Sequence, residues 1–81
     1  MAVMYILHSE KINKYYIGAC LNIERRLYEH NIGHSKFTSA GIPWVIKYKE
    51  EFPDLTSAKK RETEIKKMKS SKYIQKLINE R

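Results

Sequence analysis

Lys14-Tyr15-Tyr16-Ile17-Gly18-Ala19-Cys20-Leu21-Asn22-Ile23-Glu24-Arg25-Arg26-Leu27-Tyr28-Glu29-His30 reads as a strand running into a helix, with a tyrosine, an arginine and a histidine at fixed spacing. Tyr15 to Ala19 has strand character, and Asn22 to Asn31 reads as a helix with Asn22 as N-cap and Gly33 as stop. At about 100° per residue, Ile23 and Leu27 define an apolar stripe. Arg26 and His30, each three residues further on, fall on that same stripe. Arg25 and Glu29 are expected to point away. A guanidinium and an imidazole on an inward face are expensive to desolvate without partners, so they are expected to line a cleft. The alternative is that Arg26 snorkels to water and His30 is a satisfied histidine at the core edge.

The flanking sequence supplies a scaffold for this unit. Val3 to His8 is apolar on both alternating faces, the mark of a central strand covered on both sides. Ser9 to Asn13 reads as a hairpin connection, so the first two strands are expected to be antiparallel. Gly18 allows close approach of backbone or phosphate. His34 to Gly41 is a polar segment with a short helix expected over Lys36 to Ala40. Pro43 to Phe52 alternates, with Trp44, Ile46, Tyr48 and Phe52 assigned to one face and Lys47, Lys49 and Glu51 to the other, which suits an edge strand. Pro53-Asp54 breaks the strand, and Thr56 or Ser57 is expected to cap the next helix. Ser70-Ser71 separates it from a last helix with Tyr73, Ile74, Leu77 and Ile78 inward. The expected fold is α+β, a small three-stranded antiparallel sheet flanked by helices, forming one domain over residues 1–81.

A second inward charge lies in the C-terminal half. Between Ser57 and Lys69 the apolar residues Ala58, Ile65 and Met68 share one helical face, and Glu62 falls between them. Glu64 points the other way, toward nearby lysines. A carboxylate on an apolar face needs a cation, either a protein base such as Arg26 or a divalent metal that takes oxygen ligands. Tyr5 and Tyr16 belong to neighbouring strands, so together with Arg26 and His30 four polar groups can converge on one sheet surface. Tyrosines at such positions can also merely pack at a core edge, and Tyr15, on the other face from Tyr16, is read that way.

Composition narrows the class. Eighty-one residues at 42% hydrophobic suffice for one modest core. The net charge of +7, from 16 basic and 9 acidic residues, points to a polyanionic partner. Most of it lies in the tail from Lys59 to Arg81, where nine lysines or arginines face three acidic residues. Such a run is also what a solvated lysine-rich helical surface looks like, so it points to nucleic acid only together with a site. The apolar start, Ala2 to Leu7, is too short for a signal peptide and nothing reaches the length of a membrane span, so a soluble, intracellular (cytoplasmic) protein without membrane partners is expected. Cys20 is the only cysteine. That excludes an internal disulfide and a cysteine-based zinc cluster, and Cys20 reads as a small buried side chain. His8 and His34 are lone histidines with no expected function.

Tyr5-Ile6-Leu7, Tyr15-Tyr16-Ile17-Gly18, Glu24-Arg25-Arg26-Leu27 with His30, Pro43-Trp44 and Lys60-Arg61-Glu62 occur in an order that resembles the GIY-YIG nuclease superfamily. The likeness runs from Met4 to Ile78 and is nearest to short stand-alone members similar to the N-terminal nuclease domain of the UvrC repair protein. Two places depart from the pattern or sit loosely on it. The first motif reads Met4-Tyr5-Ile6 without a leading glycine, and Asn79 lies only near the place where many such nucleases carry an asparagine. The resemblance implies a metal-dependent endonuclease hydrolysing nucleic-acid phosphodiesters, DNA before RNA, with Mg²⁺ or Mn²⁺ held by Glu62. Arg26 would stabilise the phosphorane and Tyr5 would orient or deprotonate the attacking water. Tyr16 and His30 would position phosphate and water, with Gly18, Arg25, Lys36, Lys66, Lys67 and Lys69 toward nucleic acid. A targeting partner protein is left open. The rival readings are a catalytically inactive basic nucleic-acid-binding module, or a small basic protein for an acidic partner or ribosomal RNA with a structural Arg26 to Glu62 ion pair.

Overall fold

A computed structural model describes residues 1–34 and 36–80, with residue 37 by its backbone alone. Its elements are β1 (Ala2–Ser9), β2 (Lys14–Cys20), α1 (Ile23–Asn31), α2 (Lys36–Ser39), β3 (Trp44–Phe52), α3 (Leu55–Met68) and α4 (Ser71–Asn79). The sheet order is β2-β1-β3, antiparallel throughout, so β1 is central and β3 an edge as its patterning implies. Both faces of β1 are covered. Ala2, Met4 and Ile6 pack with Ala58 and Ile65 of α3 and Ile74 of α4. Val3, Tyr5 and Leu7 pack on the opposite side with Cys20 and Trp44, beneath Ile23 and Leu27 of α1. Each large apolar side chain buried this way contributes roughly 1.5–3 kcal/mol.

Alternation along β3 does not survive as a single face. Ile6 pairs with Tyr48 but Leu7 pairs with Ile46, so Lys47 is an extra residue in the ladder, a β-bulge. Partners directly opposite share a face. Tyr48 and Phe52 therefore pack on the α3 side, whereas Ile46 and Trp44 pack on the α1 side. This bulge delivers Trp44 to the face that carries the candidate site.

Three further expectations need correction. The cap of α3 is Asp54, whose side chain accepts the Ser57 N–H at 2.7 Å, and neither Thr56 nor Ser57 serves. Met68 is exposed at the end of α3, and the apolar stripe of this helix is Leu55, Ala58 and Ile65. Glu64 pairs with Arg61 and not with a lysine. The cap of α4 is Ser70, at the expected Ser70-Ser71 break. Arg81, the last basic residue of the tail, lies outside the described residues. Among those described, no helix is long and apolar enough to cross a membrane.

Candidate active site

The helix α1 is fixed at both ends by local chemistry. Asn22 Oδ1 accepts the Arg25 N–H at 3.0 Å. At the other end Gly33 takes a left-handed φ of 77°, which lets the His34 N–H reach back to the Glu29 carbonyl at 3.1 Å. That is a Schellman stop, and glycine meets its φ requirement without Cβ strain. Pinned in this way, α1 buries His30 to 4% exposure over the middle of the sheet. Tyr5 lies below it on β1, 1% exposed.

Tyr5 is directly opposite Gly18 in the ladder, and a Cβ at Gly18 would stand 2.6 Å from Tyr5 Cζ. The absent side chain is thus what admits the phenol ring. Sequence reasoning gave Gly18 to backbone or phosphate approach, and the group beside it is Tyr5. Tyr16 pairs with Leu7 and so joins the same face. Its ring meets His30 edge-on with centroids 4.8 Å apart and stacks near Tyr5 at 6.4 Å.

Polar contacts link this aromatic group. Tyr5 Oη lies 3.4 Å from His30 Nε2, and His30 Nδ1 lies 3.0 Å from Thr38 Oγ1. Trp44 Nε1–H donates to the Thr38 carbonyl at 2.7 Å. The Asn31 amide clamps the Trp44 backbone on both sides, accepting its N–H at 2.6 Å and donating to its carbonyl at 3.0 Å. Burial, with Arg26 nearby, holds His30 below the ordinary histidine value against an opposing pull from Glu29, so it favours the neutral imidazole. Tyr5 goes the other way. Burial first, then Tyr16, raise its phenol well above the usual range, Glu62 adds to the rise, and Arg26 only partly opposes it. A standing Tyr5 phenolate is therefore disfavoured by the protein itself.

Tyr16, Arg26, Glu29, His30 and His34 line a cavity of about 320 Å³. Arg26 is partly exposed there, with 45% of its side chain accessible, against 78% for Arg25. Glu29 does not point away as its helical position suggests. It is half-buried and pairs with both arginines at 3.4 Å, because three- and four-residue spacings bring all three side chains together. Arg26 also borders a neighbouring groove with Asn22, Arg25 and Lys59. Sequence reasoning assigned nothing to His34 and did not consider Thr38; both lie against His30 or its cavity.

Glu62 on α3 is 21% exposed by its side chain and pairs with Lys66 Nζ at 2.6 Å. Its charge reaches Tyr5. Because Arg26 pairs with Glu29 and Glu62 with Lys66, the structural Arg26 to Glu62 ion pair is not formed among the described residues. Lys66 and Lys69 line a groove of about 450 Å³ with Lys14, along Tyr15 and Ile17, whereas Lys67 lies on the outer side of α3 with Lys59 and Lys60. Lys36 is exposed at the start of α2. Burial pushes the Cys20 thiol up, opposite to what a nucleophile needs.

No group of three histidine, cysteine or acidic side chains able to hold a metal ion occurs among the described residues. A lone, reachable carboxylate still fits a Mg²⁺-like ion, which keeps several waters and takes its other oxygens from substrate phosphate. The same donor set does not fit a structural zinc cage.

A family model described as the GIY-YIG catalytic domain matches residues 1–76. Among curated relatives, the chain is 38% identical over 72 residues to a UPF0213 protein of Staphylococcus haemolyticus, covering 88% of this chain and 87% of that one. It is 39% identical over 62 residues to a UPF0213 protein of Syntrophus aciditrophicus, covering 74% and 71%. A UPF0213 protein of Halobacterium salinarum is 34% identical over 55 residues, covering 67% and 71%. No solved structure matches the chain. With the family model spanning nearly every element that carries the candidate site, the chain belongs to the GIY-YIG catalytic-domain family, a nuclease superfamily.

Proposed function

We propose that the chain is a divalent-metal-dependent endonuclease that hydrolyses nucleic-acid phosphodiester bonds, acting on DNA and directed by its structure more than by its sequence. The observation that supports this reading best is the gathering of Tyr16, Arg26 and His30 around one cavity, with Tyr5 buried against His30 and feeling the Glu62 charge. So small a molecule offers little surface for reading base edges, which favours recognition of backbone shape.

The residues divide the work. Arg26 presents a planar, permanently charged fork to the phosphate and stabilises the charge that grows on it in the transition state. Its exposed pair with Glu29 is weak enough to open when a phosphate arrives. Tyr5 holds the attacking water through its hydroxyl, and its raised pKa makes orientation and proton relay its task instead of service as a preformed phenolate. Tyr16 and His30 wall the cavity and set the phosphate and water against Tyr5. Glu62 would hold Mg²⁺ or Mn²⁺ with phosphate oxygens, leaving its pair with Lys66. When bound, such an ion supplies Lewis acidity at a non-bridging oxygen and charge stabilisation at the leaving oxygen.

Labelled single-stranded, duplex and flap DNA incubated with Mg²⁺, Mn²⁺ or EDTA tests the reading. Cleavage is expected with metal and not with EDTA. Glu62→Ala should lose cleavage yet keep its fold and DNA affinity, because it removes a metal ligand and no phosphate contact. Cleavage in EDTA, or a fully active Glu62→Ala, would show that the assignment is wrong.

A further inference from the structure

We propose that Thr38 is a positioning residue that fixes the tautomer of His30 and, through it, the direction in which the Tyr5 hydroxyl points. The proposal rests on the nuclease reading for its consequence, but its physical content is a statement about one buried hydrogen-bond chain.

A neutral imidazole has one N–H and one lone pair, so its two neighbours cannot both be treated alike. His30 is 4% exposed, Thr38 and Tyr5 are each 1% exposed, and both ring nitrogens face a hydroxyl oxygen. Two arrangements are possible. In the first, Nδ1–H donates to Thr38 Oγ1, and the Nε2 lone pair accepts the Tyr5 O–H. The Tyr5 oxygen then keeps its lone pairs free to accept a proton from a water. In the second, Thr38 donates to Nδ1 and Nε2–H donates to Tyr5, whose own proton must turn elsewhere and meets a water as a donor. Only the first suits activation of a nucleophile.

The distances give Thr38 the leading part in setting the proton, and the nuclease reading selects the first arrangement. The contact at Nδ1 is 3.0 Å while that at Nε2 is 3.4 Å, so Thr38 is the better-formed partner and has the stronger say in placing the ring proton. The position of Thr38 is itself secured, since the Trp44 indole holds its carbonyl and Asn31 holds Trp44. In the proton's route, the water O–H bond breaks as its proton moves to Tyr5 Oη. The phenolic proton moves to His30 Nε2, and the resulting imidazolium keeps its Nδ1–H on Thr38.

Long-range ¹H–¹⁵N correlation spectra of the ring nitrogens read the tautomer directly and need no substrate. His30 protonated on Nδ1 in the unaltered protein, a shift toward Nε2–H in Thr38→Val, and retention in Thr38→Ser are the expected results. On a DNA substrate that the protein cleaves, Thr38→Val should lower kcat on the order of 10- to 100-fold with KM little changed, and Thr38→Ser should recover most of it. His30 protonated on Nε2 in the unaltered protein overturns the proposal without any variant having to fold. An unchanged tautomer in folded Thr38→Val does the same. If no DNA is cleaved, the nuclease reading fails while the spectra still decide the role of Thr38.

Discussion

His30 meets the interior as a neutral ring, and that gives its stability contribution a definite sign. Its folded value is held below the ordinary 6.5 by burial and by Arg26. As pH falls, the unfolded chain therefore takes up a proton before the folded one does. The contribution is whole above about 6.5 and is lost as pH falls toward the depressed value. Thermal melts from about pH 7.5 to about pH 5 should show a falling Tm whose slope flattens in His30→Gln. An equal slope in the variant would show that another group carries the dependence. Glu50 does not confuse this window. Burial would raise its carboxyl, but hydrogen bonds from Arg61 and Tyr48 outweigh that and hold it below its ordinary 4.5, so its contribution is lost only at lower pH. His30, Arg26 and Tyr16 were legible in the sequence because strand and helix periods are local and place side chains by arithmetic. Thr38 was not. Its partner lies eight residues away across a turn that no periodicity describes. Glu29 was misread for a related reason, since an apolar stripe says nothing about which arginines a carboxylate will follow.

The bulge at Lys47 shows what alternation can and cannot carry. Exposure along β3 still alternates, yet the apolar residues before and after Lys47 enter different cores. One inserted residue leaves the local pattern intact and changes only the pairing partner, so strand identity and edge position were readable while the change of face was not. The count of residues matters here more than the side chain. Lys47→Ala should cost no more than about 1 kcal/mol, as for an exposed residue with surface partners. Inserting one further residue after Lys47 should cost at least about 3–5 kcal/mol, because Trp44 would turn toward the wrong core or the ladder would break. Denaturant unfolding of the two variants separates these outcomes, and similar losses would mean that the bulge does not set the face. The insertion should also release the Thr38 carbonyl from the indole, tying the edge strand to the order of the site.

Among the described residues, basic side chains line three separate grooves. Arg25 and Lys59 border Arg26 in one groove, Lys14, Lys66 and Lys69 line another, and Lys60 and Lys67 occupy the outer side of α3. The basic tail looked uniform in sequence, but the helical turn of α3 sends adjacent Lys66 and Lys67 to different grooves. Lys66 is engaged with Glu62, so the groove it shares with Lys14 and Lys69, on the α3 face of the sheet, is tied to the proposed metal ligand. Nucleic acid held at Glu62 is expected to run along that groove and not over the outer side. On duplex DNA the slope of log K against log salt becomes shallower by about 0.9 for each phosphate that is no longer neutralised. The double variant Lys14→Gln, Lys69→Gln should therefore flatten the slope by up to about 1.8, whereas Lys60→Gln, Lys67→Gln should leave it nearly unchanged. Both are measured in EDTA, so that binding is read without metal or cleavage. Equal flattening by the two would mean that the charge acts as a diffuse field over the surface. No flattening by Lys14→Gln, Lys69→Gln would move the phosphate contacts to the Arg25 and Lys59 groove on the other side of Arg26.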